Sequence, residues 1–408
     1  MKITAIRRLL LLVFLIPTIA TALAYSQAFD VLYSFTGGQD GSSPTGWLAF
    51  DGQGHLFGAT TEGGVPDCPL HLTSGCGTLF RIGANGEAVV HRFYDGVGGG
   101  FPGTGLVRRH DGIFYGSTNL GSGASAGGVI YAFDPKSGHT TVVYAFAGGA
   151  TGRGPNGVIF NRHGNLYGTT VRGGNKTTSY CRLGGCGLVF KIFKNGQEDV
   201  LHRFVGPPDG SYPRGSLVQD SQGNLYGVTN SGGAAPCNCG TIFKIDTHGN
   251  ETILHSFSDS PDGSTPDEGL MLDSQGDLYG TTWNGGPFGA GTVYKLDPAG
   301  NLTVLYSFSG TDGTNPSSSL VSDAAGNLYG FTYAGGDLSC GFEGSGCGTV
   351  FRIDPNGNLT TLHAFTATAT DGWGANGGHL LLDATGQIYG LTFGGGTAGY
   401  GVVYRITQ

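Results

Sequence analysis

GNLYGTT, at residues 164–170, recurs in slightly altered form along the whole 408-residue chain. The other copies are GHLFGAT at 54–60, GIFYGST at 112–118, GNLYGVT at 223–229, GDLYGTT at 276–282, GNLYGFT at 326–332 and GQIYGLT at 386–392. The glycine after the aromatic residue stands at 58, 116, 168, 227, 280, 330 and 390, so successive copies are 50 to 60 residues apart. Self-similarity at such a period indicates a repeat protein whose units stack on their neighbours.

Three other segments accompany the heptapeptide. An apolar run with an Asp-x-x-Gly turn, such as Asp220–Gly223, precedes it, a GTVFKI-type segment follows it, and an LHxF-type segment ends the unit. Short segments with period-2 alternation predict four strands per unit, which we call A, B, C and D in chain order, with the heptapeptide as strand B. Radial repetition of four-stranded units is the architecture of a propeller. We therefore predict an all-β, seven-bladed β-propeller with four antiparallel strands per blade.

The two ends of the repeat pattern predict how the ring closes. An LHxF-type segment, Val31–Phe35, comes before the first strand A. The last strand C, Gly401–Ile406, has only Thr407 and Gln408 after it. We expect the N-terminal segment to supply strand D of the seventh blade, which leaves no open blade edge.

Residues 1–24 differ from the rest of the chain. Lys2, Arg7 and Arg8 precede the apolar run Leu9–Ile16 and the small-residue stretch Ala22–Ala24. This is the pattern of a signal peptide, and so short an apolar run does not span a bilayer. We expect cleavage near Ala24 and a single propeller domain over residues 25–408, secreted or periplasmic, with no membrane span in the mature chain.

Charge and composition restrict the partners. Removal of three cations with residues 1–24 changes the formal net charge from −8 to −11, which argues against a nucleic-acid partner. The 79 glycines, with abundant Thr, Tyr and Phe, favour short strands and tight turns. We expect a monomer without cofactors.

The combination of LYGTT, a following Gly-Gly, CGTVFKI and a DPxGN-type turn resembles the GloVer tandem-repeat family of exported bacterial proteins. The resemblance extends over essentially the whole mature chain. It implies a propeller-like repeat protein outside the cytoplasm, and it implies no established activity and no catalytic residues.

All eight cysteines fall between strands B and C, as one local pair in each of four units. The pairs are Cys68/Cys76, Cys181/Cys186, Cys237/Cys239 and Cys340/Cys347. Local pairs in longer loops of an exported chain indicate disulfides rather than a zinc site. Because two residues is a short span for a disulfide, a link from Cys237 or Cys239 to Cys181 or Cys186 is an open alternative.

Other polar residues recur in ways that indicate structural roles. His91, His202, His255 and His363 share one position in strand D, where other units have Tyr, so we predict no metal site there. Asp-Gly-x-x-Pro, as at Asp262–Pro266, recurs between strands D and A and predicts tight turns, with calcium binding as the alternative.

The residues in which the repeats disagree indicate a ligand site. The position after the heptapeptide holds Trp283, Tyr333 and Phe393 in the last three units, and Trp47, Trp373 and His379 belong to loops that we expect on the same face. Aromatic rings beside polar Asn284 and Asp337 suit sugar rings, although packing between blades is the alternative. We interpret the protein as a non-catalytic scaffold that binds a glycan or another surface ligand. The alternative is a polysaccharide hydrolase or lyase at the channel mouth, with catalytic residues unknown.

Overall fold

The computed structural model describes residues 27–408 except 67, 69–74, 85, 95–97, 122–126, 175, 177, 183, 342–343 and 376, and the signal peptide predicted at 1–24 lies outside this range. Seven antiparallel sheets form the blades of a propeller, as the repeats predict, and in each the strand order is A-B-C-D with D outermost. No helix in the described part of the chain is long and apolar enough to cross a membrane.

The strand bounds follow the repeats closely. Strands B are Leu56–Glu62, Phe114–Leu120, Leu166–Arg172, Leu225–Gly232, Leu278–Thr282, Leu328–Ala334 and Ile388–Thr392. Strands C are Thr78–Gly83, Val129–Asp134, Leu188–Ile192, Thr241–Ile245, Thr292–Leu296, Thr349–Ile353 and Val402–Thr407. Strands D of blades 1 to 6 are Gly86–Arg92, His139–Ala145, Glu198–Arg203, Glu251–Ser256, Leu302–Ser307 and Leu359–Ala364.

Strand A is less regular than predicted. It is continuous at Ser42–Phe50 and Gly210–Gln219, and both strands shift register in the middle. In the other blades it is short or divided: Gly100–Pro102 with Val107–Arg108, Arg153–Pro155 with Ile159–Phe160, Met271–Leu272, Thr314–Pro316 with Val321–Ser322, and Gly372–Trp373 with Leu381–Leu382. Gly394–Gly395 pairs with Gly372–Trp373, and Gly149–Thr151 forms a 3-10 turn. The irregular middle of strand A is the part that meets the propeller axis.

The ring closes as the sequence predicts. Ala28–Ser34 pairs antiparallel with Val402–Thr407 and is strand D of blade 7. Phe29 stacks on His363 of blade 6 at 3.8 Å between ring centroids. Phe35, just after the strand, is fully buried. One blade is therefore built from both ends of the described chain.

The heptapeptide recurs because strand C crosses it closely. A Cβ on its second glycine would overlap the strand C ring of the same blade, for example Phe80 over Gly58 or Tyr131 over Gly116. The Thr that ends the heptapeptide is fully buried in every blade. Its hydroxyl donates to the carbonyl two residues later, as from Thr60 to Glu62 at 2.8 Å. The motif is therefore a packing device and not a binding site.

Three of these strand C rings are tyrosines whose buried hydroxyl makes no hydrogen bond to the described residues. Tyr131, Tyr294 and Tyr404 are fully buried, and their hydroxyls have no hydrogen-bond partner among the described residues. Since a buried unsatisfied hydroxyl costs about 1 kcal/mol or more, we expect each Tyr→Phe change to stabilise the fold by roughly that amount. Separate blades should give additive gains in thermal or urea unfolding.

A matched control is Tyr329→Phe, which removes a hydroxyl that donates to Asp323 at 3.0 Å and should not stabilise. A triple variant of the strand C tyrosines that unfolds more easily than the parent would contradict the expectation.

The same hydrogen bond joins each blade to the next. The donor is the backbone N–H of the residue at the start of strand A. The acceptor belongs to the previous blade and is the carbonyl of the residue just before the glycine that opens strand C, and the donor–acceptor distances are 2.8 to 3.0 Å. These donors are Ser43, Phe101, Gly154, Tyr212, Thr265, Asn315 and Gly374, all with φ between 53° and 64°. For the non-glycine residues this left-handed backbone is strained, and the bond offsets the strain. We call these seven contacts the seams.

The opening glycine of strand C leaves room for the seam. At Gly77, φ is 94°, and a Cβ would lie 2.7 Å from Cδ of Pro102 in the next blade. An L side chain is excluded both by this conformation and by this contact.

Four disulfides close loops beside the seams. The structure joins Cys68–Cys76, Cys181–Cys186, Cys237–Cys239 and Cys340–Cys347, with Cα–Cα distances of 5.0 to 5.7 Å. In each pair the carbonyl of the second cysteine is a seam acceptor. The disulfides therefore hold the acceptor side of four seams in place.

Candidate functional site

The first part of the predicted site lies at the propeller axis. Trp47 is only 7% exposed, stacks on His379 at 5.1 Å between ring centroids, and donates its indole N–H to the carbonyl of Leu106 at 3.1 Å. A Cβ on Gly105 or Gly157 would overlap its ring. Trp47 therefore packs across the axis against blades 2, 3 and 7, and its indole is not available on the open loop face where the sequence predicted it.

His379 shares this interior environment. Its Nδ1 lies 2.8 Å from the carbonyl of Leu380, and burial lowers the pKa of the imidazole. The site residues predicted from sequence thus separate into an axial pair, Trp47 and His379, and a second group nearer the surface.

Two carboxyl groups, those of Asp267 and Glu268, lie where the chain enters strand A of blade 5, and a Cβ on Gly377 of blade 7 would be 3.7 Å from Glu268 Oε1. Burial raises the pKa of Glu268 well above its usual value, and the neighbouring Asp267 carboxylate raises it further. Asp267 accepts hydrogen bonds from Asn230 Nδ2 at 3.0 Å and forms an ion pair with Arg214 at 3.3 Å. Burial raises the pKa of Asp267 as well, although Arg214 and Asn230 oppose this shift, so the environment favours the protonated form of both carboxyl groups more than water does.

The second group consists of two pairs of aromatic rings on blades 5, 6 and 7. The ring centroids of Trp283 and Tyr333 are 5.4 Å apart, and those of Trp373 and Phe393 are 5.8 Å apart. Gly374, next to Trp373 in the chain, lies beside Tyr333, because a Cβ there would be 3.3 Å from Tyr333 Cε2. Trp283, Tyr333 and Trp373 are half-buried and Phe393 is 39% exposed. We call Trp283, Tyr333, Trp373 and Phe393 the aromatic arc.

Further exposed apolar side chains occupy the same three blades. Phe288, Leu338 and Tyr400 lie in the loops between strands B and C of blades 5, 6 and 7. They fall outside the predicted site, because that site was built from the position after the heptapeptide and from the residues that lead into strand A. Their signal is large apolar residues in glycine-rich loops, which in a water-facing position often mark a binding surface.

The loops of this half of the face also differ in charge. Residues 257–270, 283–291, 308–320, 333–348, 365–380 and 393–401 contain no Lys or Arg, but they include Asp259, Asp312, Asp337 and other acids. Arg153, Lys176 and Arg182 lie in the corresponding loops of blade 3. The arc is thus in an acidic environment that disfavours polyanions.

Comparison with solved structures places the fold among known propellers. The extracellular domains of two Bacteroides thetaiotaomicron proteins assigned to the hybrid two-component systems match with TM-scores of 0.58 and 0.57 at 14% and 13% identity. The match covers 94% and 92% of this chain but only 42% and 40% of theirs, so the chain spans about two fifths of their length. An oligogalacturonate lyase from Vibrio parahaemolyticus matches with a TM-score of 0.52 at 11% identity, over 92% of this chain and 89% of its own.

No curated protein matches the chain significantly. The model of the Gloeobacter/Verrucomicrobia repeat matches residues 18–181, 176–343 and 236–408, which together include all seven blades. This confirms the resemblance seen in the heptapeptides and the strand C segments. The chain is therefore a member of the Gloeobacter/Verrucomicrobia repeat family.

Proposed function

We propose that the protein is an exported, non-catalytic scaffold that binds a neutral glycan at the aromatic arc. The observation that supports this most is the presence of two aromatic pairs on three adjacent blades, with their rings partly open to water. Flat apolar surface bordered by polar groups is the surface on which sugar rings stack. Asn284 is exposed beside Trp283 and supplies such a polar group.

Export is part of the proposal. The four disulfides suit an oxidising compartment, and the basic and apolar segments of residues 1–24 suit a signal peptide. A secreted or periplasmic scaffold would meet polysaccharides of the cell surface or of the surroundings. The acidic loops favour neutral chains over uronic-acid chains.

We expect Trp283→Ala to weaken binding of a neutral polysaccharide at least about tenfold, because central aromatic contacts dominate such interfaces. Isothermal titration calorimetry would follow a glycan-array screen that includes polygalacturonate as the anionic comparison. Tyr180→Ala is the matched control, since Tyr180 is a 40% exposed ring in a loop of blade 3 on the same face. Equal losses for both variants, or tighter binding of polygalacturonate than of any neutral chain, would contradict the proposal.

Glu268 supports the second candidate, a polysaccharide hydrolase or lyase. A carboxyl group with a raised pKa is suited to act as a general acid. The same polysaccharide panel distinguishes the two functions. If the parent protein releases new chain ends from a polysaccharide and Glu268→Gln does not, the protein is an enzyme and the binding proposal is wrong.

A further inference from the structure

The rim of the propeller carries a repeated contact between strand D and the loop that follows it. The His or Tyr side chain of strand D forms a hydrogen bond with an aspartate of the loop. His255 Nε2 lies 2.7 Å from Asp262 Oδ2, and the Tyr306 hydroxyl donates to Asp312 Oδ2 at 2.6 Å. The same aspartate accepts the backbone N–H just after strand D, as Asp262 does from Ser258 at 3.1 Å. This contact fastens the loop and gives the aspartate of the Asp-Gly-x-x-Pro motif a structural role.

A residue of the next blade lies beside each of these rim contacts, and its type differs between blades. It is the residue of strand D that pairs with the last apolar residue of strand C. It is Glu87, Glu198, Glu251, Leu302, Leu359 and Phe29 in blades 1, 3, 4, 5, 6 and 7. Phe29 stacks on His363, and Glu198 accepts a hydrogen bond from Tyr144 at 2.8 Å. The position therefore faces the rim contact of the preceding blade.

Between blades 3 and 4 this arrangement brings three metal-binding side chains together. His202, Asp209 and Glu251 each offer a ligand atom, and all three atoms lie within 4.8 Å of one another. His202 Nε2 is 3.3 Å from Asp209 Oδ2. Glu251 Oε1 is buried and has no hydrogen-bond partner among the described residues.

Glu87 Oε1 and Glu198 Oε1 are also buried without a partner among the described residues, but Glu87 lies beside Tyr33 and Glu198 beside Tyr144. Glu251 differs from both because the side chain beside it is an imidazole, which can bind a metal ion. A dication between the three metal-binding side chains would satisfy the buried Glu251 oxygen and balance the charge of the two carboxylates.

We propose that His202, Asp209 and Glu251 form a binding site for a divalent transition-metal ion, of which Zn²⁺ is the best fit. An imidazole nitrogen with two carboxylates suits zinc, whereas calcium and magnesium prefer oxygen ligands alone. Ligands bound at about 2.0–2.1 Å are closer together than in this structure, so the Glu251 carboxylate moves inward by about an ångström on binding. The ion links blade 3 to blade 4 and leaves a coordination position for water.

The other blades provide substitutions that keep the fold. Glu251→Leu installs the residue that blades 5 and 6 have at this position, and His202→Tyr installs the residue that Tyr306 represents in blade 5. Both variants remove one ligand and retain a side chain that the repeat accommodates. Leu302→Glu does the reverse, because it places a carboxylate at the position that faces His255 and Asp262.

The experiment is calorimetric titration of the chelator-treated, purified chain with ZnCl₂, MnCl₂ and CaCl₂, together with metal analysis and thermal unfolding. We expect one Zn²⁺ per chain, a higher melting temperature with Zn²⁺, and at least a hundredfold weaker binding in Glu251→Leu and His202→Tyr. Leu302→Glu should raise the stoichiometry to two, and His255→Tyr in the parent should leave it at one. Zinc binding that survives both ligand variants, no zinc binding at all, or a preference for Ca²⁺ would overturn the proposal.

Discussion

Deletion of residues 28–35 should cost the protein much of its stability, with a melting temperature lower by about 10 °C or more. The deletion removes strand D of blade 7 and leaves Val402–Thr407 as an unpaired edge. It also removes Phe35, which is fully buried and packs edge-on against Phe80 at 5.1 Å between ring centroids. Loss of a buried Phe alone costs about 3–5 kcal/mol. Differential scanning calorimetry measures the loss, and light scattering detects aggregation through the exposed edge.

Two controls separate loss of the strand from less specific effects. Asp30→Asn removes only the ion pair with Arg405, which is partly exposed and should contribute less than about 1 kcal/mol. A synthetic peptide of residues 27–35 should restore part of the melting temperature of the shortened chain by pairing in trans. A shortened chain that melts like the parent would show that this strand does not close the ring in solution.

Trp47→Ala should destabilise the protein by about 3–5 kcal/mol, as expected when a large buried aromatic side chain is truncated. The change opens a cavity at the axis between blades 1, 2, 3 and 7, and the carbonyl of Leu106 loses its indole donor. Urea unfolding monitored by circular dichroism gives the free energy directly.

Trp283→Ala is the informative partner of Trp47→Ala. Because Trp283 is half-buried at the loop face, we expect it to lower stability by much less than Trp47→Ala, while it abolishes most glycan binding. Similar large losses of stability in both variants would mean that the aromatic arc serves packing between blades.

The blades and their closure could be predicted because every unit repeats the same packing constraints. Gly58 and its equivalents lie under a strand C ring, and Thr60 and its equivalents are buried donors, so their periodic recurrence is visible in the letters. The divided strand A was not predicted, because the register shift within it depends on contacts with other blades at the axis. Gly105 lies against Trp47, for instance, although the two residues belong to different repeats.

The candidate sites, too, could be predicted only in part. The rings of the aromatic arc could be named from the sequence, but the burial of Trp47 could not, because it depends on packing against Gly105 and Gly157 of other blades. The His202, Asp209 and Glu251 group escaped prediction because comparison of like positions finds only the histidines. Its third member comes from the next blade, at a position where the repeat also has Leu and Phe. A cluster whose residues come from two neighbouring blades can be recognised in the sequence only when adjacent repeats are compared together.

The seams have a consequence for how such a protein diversifies. Donor and acceptor are both main-chain atoms, and the acceptor residue is Cys76, Gly127, Cys186, Cys239, Ala290, Cys347 or Tyr400 without change in the bond. The seam therefore places no demand on the side chain of the acceptor residue, although the glycine that follows it is required. A B–C loop can be lengthened, given a disulfide or exchanged for one from another repeat while the frame stays assembled, which makes the seven loops a set of interchangeable parts for natural variation and for grafting new recognition surfaces.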